Sequence, residues 1–187
     1  MLGRTMSRII QVVVIGNNFA SPGDKKLAYE TGKIIGESGA LLITGGKQGV
    51  MKHSSRGAKD VGGLVLSILP DSGLEDANEY SDFVIPTGIG YARNLVNVLA
   101  GDLVVAIGGG AGTLSELAYA WQFDKLIFAF TCSGWSQQLA ERKKVDDKRK
   151  KEIISIDTMD DFERQYFDWL NSMIKKGHTT IQSKIHK

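Results

Sequence analysis

The residues with the clearest chemical potential form the run Gly108-Gly109-Gly110-Ala111-Gly112-Thr113. Without Cβ atoms, a backbone can approach a ligand closely and aim its N–H groups at phosphate oxygens. The run follows an apolar stretch, 103–107, and opens a helix-length stretch, so the positive end of a helix dipole falls at the same place. It is neither a Walker A loop, which needs Gly-Lys-Ser/Thr, nor a clean GxGxxG. Taken by itself it also reads as a tight strand-to-helix turn. Two further apolar runs end on small or polar residues: Gly16-Asn17-Asn18, and Thr44-Gly45-Gly46-Lys47-Gln48-Gly49.

Two charged side chains stand near the last glycine run. Thr113-Leu114-Ser115-Glu116 matches a capping box, in which the glutamate bonds back to the cap backbone. Glu116 is equally a carboxylate one turn beyond a phosphate cradle, able to orient water or stabilise a cation. Arg93 lies about 100° from the centre of the apolar stripe Ile89, Ala92, Leu95, Val96, Leu99 of a predicted helix. It is a surface arginine with a buried stem, or a planar fork for phosphate or carboxylate. His53, just past the second glycine turn, reads as a packed or solvated histidine rather than a base. Cys132 reads as a strand-end residue rather than a nucleophile.

The elements that must position these groups are legible as alternation. Strand-length apolar runs at 9–15, 40–43, 64–69, 83–85, 103–107, 126–130 and 152–156 alternate with helix-length stretches near 23–38, 48–60, 89–99, 113–122, 134–145 and 159–176. Most of the strand runs are continuously apolar, as buried parallel strands are. The last helix carries Phe162, Tyr166, Trp169, Leu170 and Met173 on one face, with Thr158 or Asp160 to cap it. This pattern predicts an α/β fold: a three-layer, doubly wound, mostly parallel sheet of about seven strands with helices on both faces. One Rossmann-like domain is expected over 8–176, with flexible termini at 1–7 and 177–187.

Composition narrows the function classes. The chain has 187 residues, 22 glycines, 3 prolines, one cysteine and a net charge of +2. A single cysteine permits no intrachain disulfide and points to a reducing compartment. The first apolar run is too short to span a bilayer, so a cytoplasmic protein without a membrane partner is expected. The stretch 141–152 holds seven Lys/Arg and four Asp/Glu. Such a mixed run reads as a solvated helix end or mobile loop rather than a nucleic-acid arm.

Taken together, Thr-Gly-Gly-x-x-Gly-Val-Met at 44–51, Arg93, Asp102 and Gly-Gly-x-Gly-Thr-x-x-Glu at 109–116 resemble the LOG-like Rossmann superfamily over about residues 8–175. That group includes the "lysine decarboxylase-like" LOG proteins, which are cytokinin riboside 5′-monophosphate phosphoribohydrolases. It also includes the molybdenum cofactor carrier proteins and, more distantly, the DNA-processing protein DprA. In LOG enzymes a catalytic arginine precedes a catalytic glutamate by the 23 positions that separate Arg93 from Glu116 here. The resemblance therefore makes Arg93 and Glu116 the catalytic candidates. The resemblance gives Gly109, Gly110, Gly112 and Thr113 the phosphate cradle; the strand-end turns and the neighbouring helix add Gly16, Asn17, Gly45, Gly46, Gly49, Arg93, Asn94 and Gly108 to the candidate ligand set. Departures surround the arginine: Gly90-Tyr91 replace a Met-His pair, Asn94 a lysine, and Gly108 a proline. They make the chain look more like the carrier branch.

Two functions follow from the resemblance. One is a binding protein for a small phosphate-containing ligand, either an AMP-like nucleotide or molybdopterin. The other is a nucleoside 5′-monophosphate phosphoribohydrolase that cleaves an N-glycosidic bond. Lysine decarboxylation would need a pyridoxal phosphate site, and no constellation for one is present. Near-neutral charge argues against a nucleic-acid partner. The relatives imply a homodimer or homotetramer.

Overall fold

The computed structural model describes residues 7–181. Seven strands form one sheet: β1 (Gln11–Gly16), β2 (Leu41–Thr44), β3 (Val65–Leu69), β4 (Phe83–Pro86), β5 (Leu103–Ile107), β6 (Leu126–Phe130) and β7 (Ile154–Ile156). Six α-helices lie among the described residues: α1 (Pro22–Glu37), α2 (Val50–Asp60), α3 (Arg93–Ala100), α4 (Ala111–Gln122), α5 (Gly134–Arg142) and α6 (Met159–Lys175); the first five connect strands and α6 follows β7. The strand order is β4-β3-β2-β1-β5-β6-β7, and every pairing is parallel. The expected three-layer α/β architecture is present.

The continuous apolar runs have a simple cause. Alternate residues of β1 feed two separate cores: Val12 and Val14 join Ala28 of α1, Val50 of α2 and Phe162 of α6, whereas Val13 and Ile15 join Val98, Leu117 and Leu139 of α3, α4 and α5. A strand covered on both faces has no side left for polar residues. On the first face Phe162 stacks on Tyr166 at 5.5 Å. The buried Tyr166 hydroxyl is paired with Ser38 Oγ at 2.7 Å, the partner that a buried phenol needs.

The helix starts obey local chemistry. Ser21 accepts from the Asp24 N–H and Pro22 opens α1. Of the two caps open for α6, Thr158 is the one used, accepting from the Asp161 N–H. Two starts differ from expectation. α3 begins at Arg93, after a 3₁₀ turn over Gly90–Ala92, rather than at 89. α4 begins at Ala111, capped by Gly110, rather than at Thr113. Gly108 (φ 63°) and Gly109 (φ 111°) complete the reversal in two residues, so Gly112 already lies in the first turn.

Two segments read as loose in the sequence make backbone hydrogen bonds where described. The stretch after α5 starts at the left-handed Lys143 and is closed by the Ile153 N–H donating to the Lys143 carbonyl at 2.8 Å. Of the terminal segments, 1–6 and 182–187 lie outside the described residues. Within the rest, Thr179 bridges Ile9, and its carbonyl accepts from the Ile10 N–H at 2.9 Å.

Candidate ligand-binding cleft

From β1 the chain builds the sheet outward through β2, β3 and β4, then returns to lay β5, β6 and β7 on the other side. The loops after β1 and β5 therefore diverge, and a crevice opens between them at the carboxyl ends of the strands. A cleft of about 650 Å³ occupies this place, within the ordinary range for small-molecule sites.

One wall is the first turn of α4. Gly110, Ala111, Gly112 and Thr113 line the cleft. A Cβ on Gly112 would meet nothing within 4 Å, so its backbone faces open space. Gly108 and Gly109 do something else. The Gly108 N–H donates to Ser136 Oγ (2.8 Å), and the Gly108 and Gly109 carbonyls accept from the Ser136 and Trp135 N–H groups (3.0 Å each). They pin the turn to the start of α5 and do not line the cleft.

Arg93 forms the opposite wall. It is buried at the start of α3, and Nη1 donates to the Ile68 carbonyl at 2.8 Å. A Cβ on Gly45 would sit 2.2 Å from that Nη1. Gly45 thus makes room for the guanidinium. Arg93 Nε is buried with no hydrogen-bond partner, an arrangement that costs free energy in a native protein. Burial pulls the guanidinium below its usual pKa, against the charges of Glu116 and Asp71.

Glu116 completes the arrangement. Because α4 starts at Ala111, no side chain caps it and the capping box is not formed. The Glu116 carboxyl is buried in the cleft and accepts from Asn97 Nδ2 at 3.1 Å. Burial pushes its pKa up to about 7, against the Asn97 hydrogen bond and the Arg93 charge. Asn94 ties α3 to the same turn, donating to Ser115 Oγ at 2.8 Å.

Of the sequence candidates, Gly16, Asn17, Gly45, Arg93, Asn94, Gly110, Gly112, Thr113 and Glu116 share this cleft. Gly46, Gly49, Gly108 and Gly109 do not line it. Gly46 offers its carbonyl to Asn78 (2.7 Å to N, 3.0 Å to Nδ2), and a Cβ on Gly49 would meet the Asn17 carbonyl at 2.1 Å. Asp102 lies at the other end of β5, held by Arg8 and the Gln11 N–H. Cys132 follows β6, and burial raises its thiol pKa, which opposes a reactive thiolate. His53 bonds the Gly49 carbonyl at 2.8 Å.

Among the lining residues that were not sequence candidates, three stand out. Lys47 bridges Asp71 (2.8 Å) and Asp76 (3.0 Å). Phe19 and Tyr91 stand 92% and 89% exposed at the cleft. Lys47 sits inside a glycine turn already of interest. Nothing local marks the others, or Asn97 behind Glu116.

Residues 9–162 match the family model of the SLOG cluster4 family. The chain belongs to that family. An uncharacterized protein of Archaeoglobus fulgidus is 40% identical over 120 residues, 64% of this chain and 79% of the relative. Among solved structures, the molybdenum cofactor binding protein from Rippkaea orientalis is similar with a TM-score of 0.73 and 34% identity, covering 91% of this chain and 99% of that one. The molybdenum cofactor carrier protein from Chlamydomonas reinhardtii is similar with a TM-score of 0.76 and 26% identity, covering 88% and 99%. This SLOG member has no helix, among its described residues, long and apolar enough to cross a membrane.

Proposed function

We propose that the protein binds a phosphate-bearing, nucleotide-like ligand in this cleft, in the manner of a molybdenum cofactor carrier. The observation that carries the reading is convergence. The open backbone of Gly110–Gly112 at the start of α4 and the buried, partly unpaired guanidinium of Arg93 line one cleft. The phosphate sits on the α4 turn, where N–H groups and helix dipole favour an anion. Arg93 completes the charge, and Phe19 and Tyr91 border the flat part of the ligand. The molybdenum cofactor fits such residues through its phosphate and its planar pterin, and the solved relatives named for that cofactor support this choice. Calorimetric titration with AMP, other nucleotides and molybdenum cofactor tests it. Saturable binding without turnover is expected; no binding of any of them ends the proposal.

A second reading rests on Glu116. Freed from a capping role, it lies buried beside Arg93 and Asn97 with a carboxyl that titrates near neutrality. In a phosphoribohydrolase the bond from C1′ to the base nitrogen breaks, the electron pair leaves with the base, and water adds at C1′. An ionised Glu116 would stabilise the oxocarbenium-like centre and orient that water. Release of free base from AMP, lost in Glu116→Gln, is the expected result. Equal release by that variant removes Glu116 from the chemistry.

A further inference from the structure

The charged excursion between α5 and β7 takes no part in the cleft, yet it is built around a buried arginine. Arg149 folds under the end of α4, its guanidinium 4.6 Å from the centre of the Trp121 ring. Nη1 donates to the Ala120 carbonyl (3.4 Å), and Nε serves the Lys151 carbonyl (2.8 Å) and Asp124 (3.3 Å). Trp121 Nε1 donates to Asp146 Oδ1 at 2.8 Å, and the Lys148 N–H donates to the same oxygen at 3.0 Å.

The outcome is a charge imbalance. The two carboxylates that line the cavity are engaged: Asp146 by Trp121 and the Lys148 N–H, and Asp124 by Arg149. Lys148, Lys150 and Lys151 have no ion-pair partner among the described residues. Those three lysines and Arg149 line a cavity of about 510 Å³ together with Trp121, Asp124 and Asp146. A second observation points to a missing acceptor. The Arg149 side chain is only 6% exposed, and its Nη2 is buried with no hydrogen-bond partner. A dehydrated guanidinium donor without an acceptor is unfavourable, and an oxyanion is the acceptor that guanidinium geometry suits best.

We propose that this cavity is a second anion site, taking a small phosphate-type oxyanion such as pyrophosphate or the phosphate of a nucleotide. The oxyanion sits among the three free lysines, and a small outward shift of 148–151 gives one oxygen access to Arg149 Nη2. The site lies at the amino ends of the strands, whereas the cleft lies at their carboxyl ends. The two are joined by α4, whose 12 residues span about 18 Å.

The test uses the full chain labelled with 5-fluorotryptophan. Its three tryptophans give three ¹⁹F resonances, and Trp121→Phe assigns the one at the cavity floor. Pyrophosphate, inorganic phosphate and AMP are titrated separately at constant ionic strength, which tells a free oxyanion from a nucleotide-borne phosphate. A saturable shift of the Trp121 resonance is expected with at least one of them. It should persist in Arg93→Met, and weaken at least about tenfold in the triple variant Lys148→Ala, Lys150→Ala, Lys151→Ala. These lysines carry no buried packing, so the triple variant keeps its fold. No saturable Trp121 shift by about 10 mM of any titrant overturns the site. So does an equal shift in the triple variant, or loss of the shift in Arg93→Met, which would assign the response to the cleft.

Discussion

Arg93 and Arg149 are both buried arginines at opposite ends of the strands, and each has a guanidinium nitrogen without a partner. Their surroundings differ. Arg149 is clasped by its own segment through an aromatic ring, two carbonyls and a carboxylate. Arg93 has one hydrogen bond, to the Ile68 carbonyl, and a buried glutamate within electrostatic reach. The first arrangement holds a loop in place. The second leaves a charge under-satisfied beside an open cleft, which is where a ligand gains most from supplying the missing interactions.

The largest effect should separate the two arginines by affinity. Arg93→Met lowers the affinity for AMP about 100-fold, roughly 3 kcal/mol, because the phosphate loses a desolvated charged partner. Arg149→Met leaves the affinity of the cleft for AMP unchanged in the same calorimetric titration, whatever it does at the second anion site. If both variants lose it equally, the division of labour is wrong.

A comparable effect is expected in stability against pH. The Glu116 carboxyl titrates near 4.5 in the unfolded chain and at about 7 in the folded one. Between those values the native state holds a proton that the unfolded state has released. Stability therefore falls as pH rises through this window, by roughly 3 kcal/mol once above about 7. Urea denaturation across pH 4 to 8 should show the fall, and Glu116→Gln should flatten it. A slope unchanged in Glu116→Gln means that other groups set it.

Third in size, Arg149→Met should destabilise the fold by about 2 kcal/mol through the lost cation–π contact and hydrogen bonds. It should also speed proteolysis within 143–152, whereas Arg93→Met should not. Limited proteolysis with mass mapping distinguishes them. The smallest effect is expected at Gly112→Ala. A methyl there meets nothing within 4 Å, and helix propensity alone predicts a stability change within about 1 kcal/mol. Affinity for AMP should nonetheless drop, since the methyl enters the space the phosphate would use. A variant that binds AMP normally places the phosphate elsewhere.

Much of the fold was legible because the central strands are buried on both faces and so are written as nearly unbroken apolar runs. The start of α4 was not. In Gly108-Gly109-Gly110-Ala111-Gly112 the sequence does not say which glycines make the turn and which sit in the helix. Only the positive φ of Gly108 and Gly109 decides it. That two-residue difference removed the capping box and returned Glu116 to the cleft. Arg93 was visible through its spacing from Glu116, but its burial depends on Gly45, almost fifty residues earlier. Asn97, Phe19 and Tyr91 reach the site from elements that carry no signal of their own. Arg149 was hidden in a run of like residues, where one buried cation looks the same as its exposed neighbours.

The central position of β1 has a consequence for how the chain is made. Its partner on one side, β2, follows within about thirty residues, but the register Val12↔Leu103 means that the other partner arrives about ninety residues later. At a synthesis rate of about 5–20 residues per second, that edge of β1 waits roughly 5–20 s for its strand. During that time an apolar strand presents unpaired N–H and C=O groups, the usual template for pairing with another chain. Fragments that stop before Leu103 keep the edge open permanently, so truncation there should yield aggregates rather than a smaller folded unit.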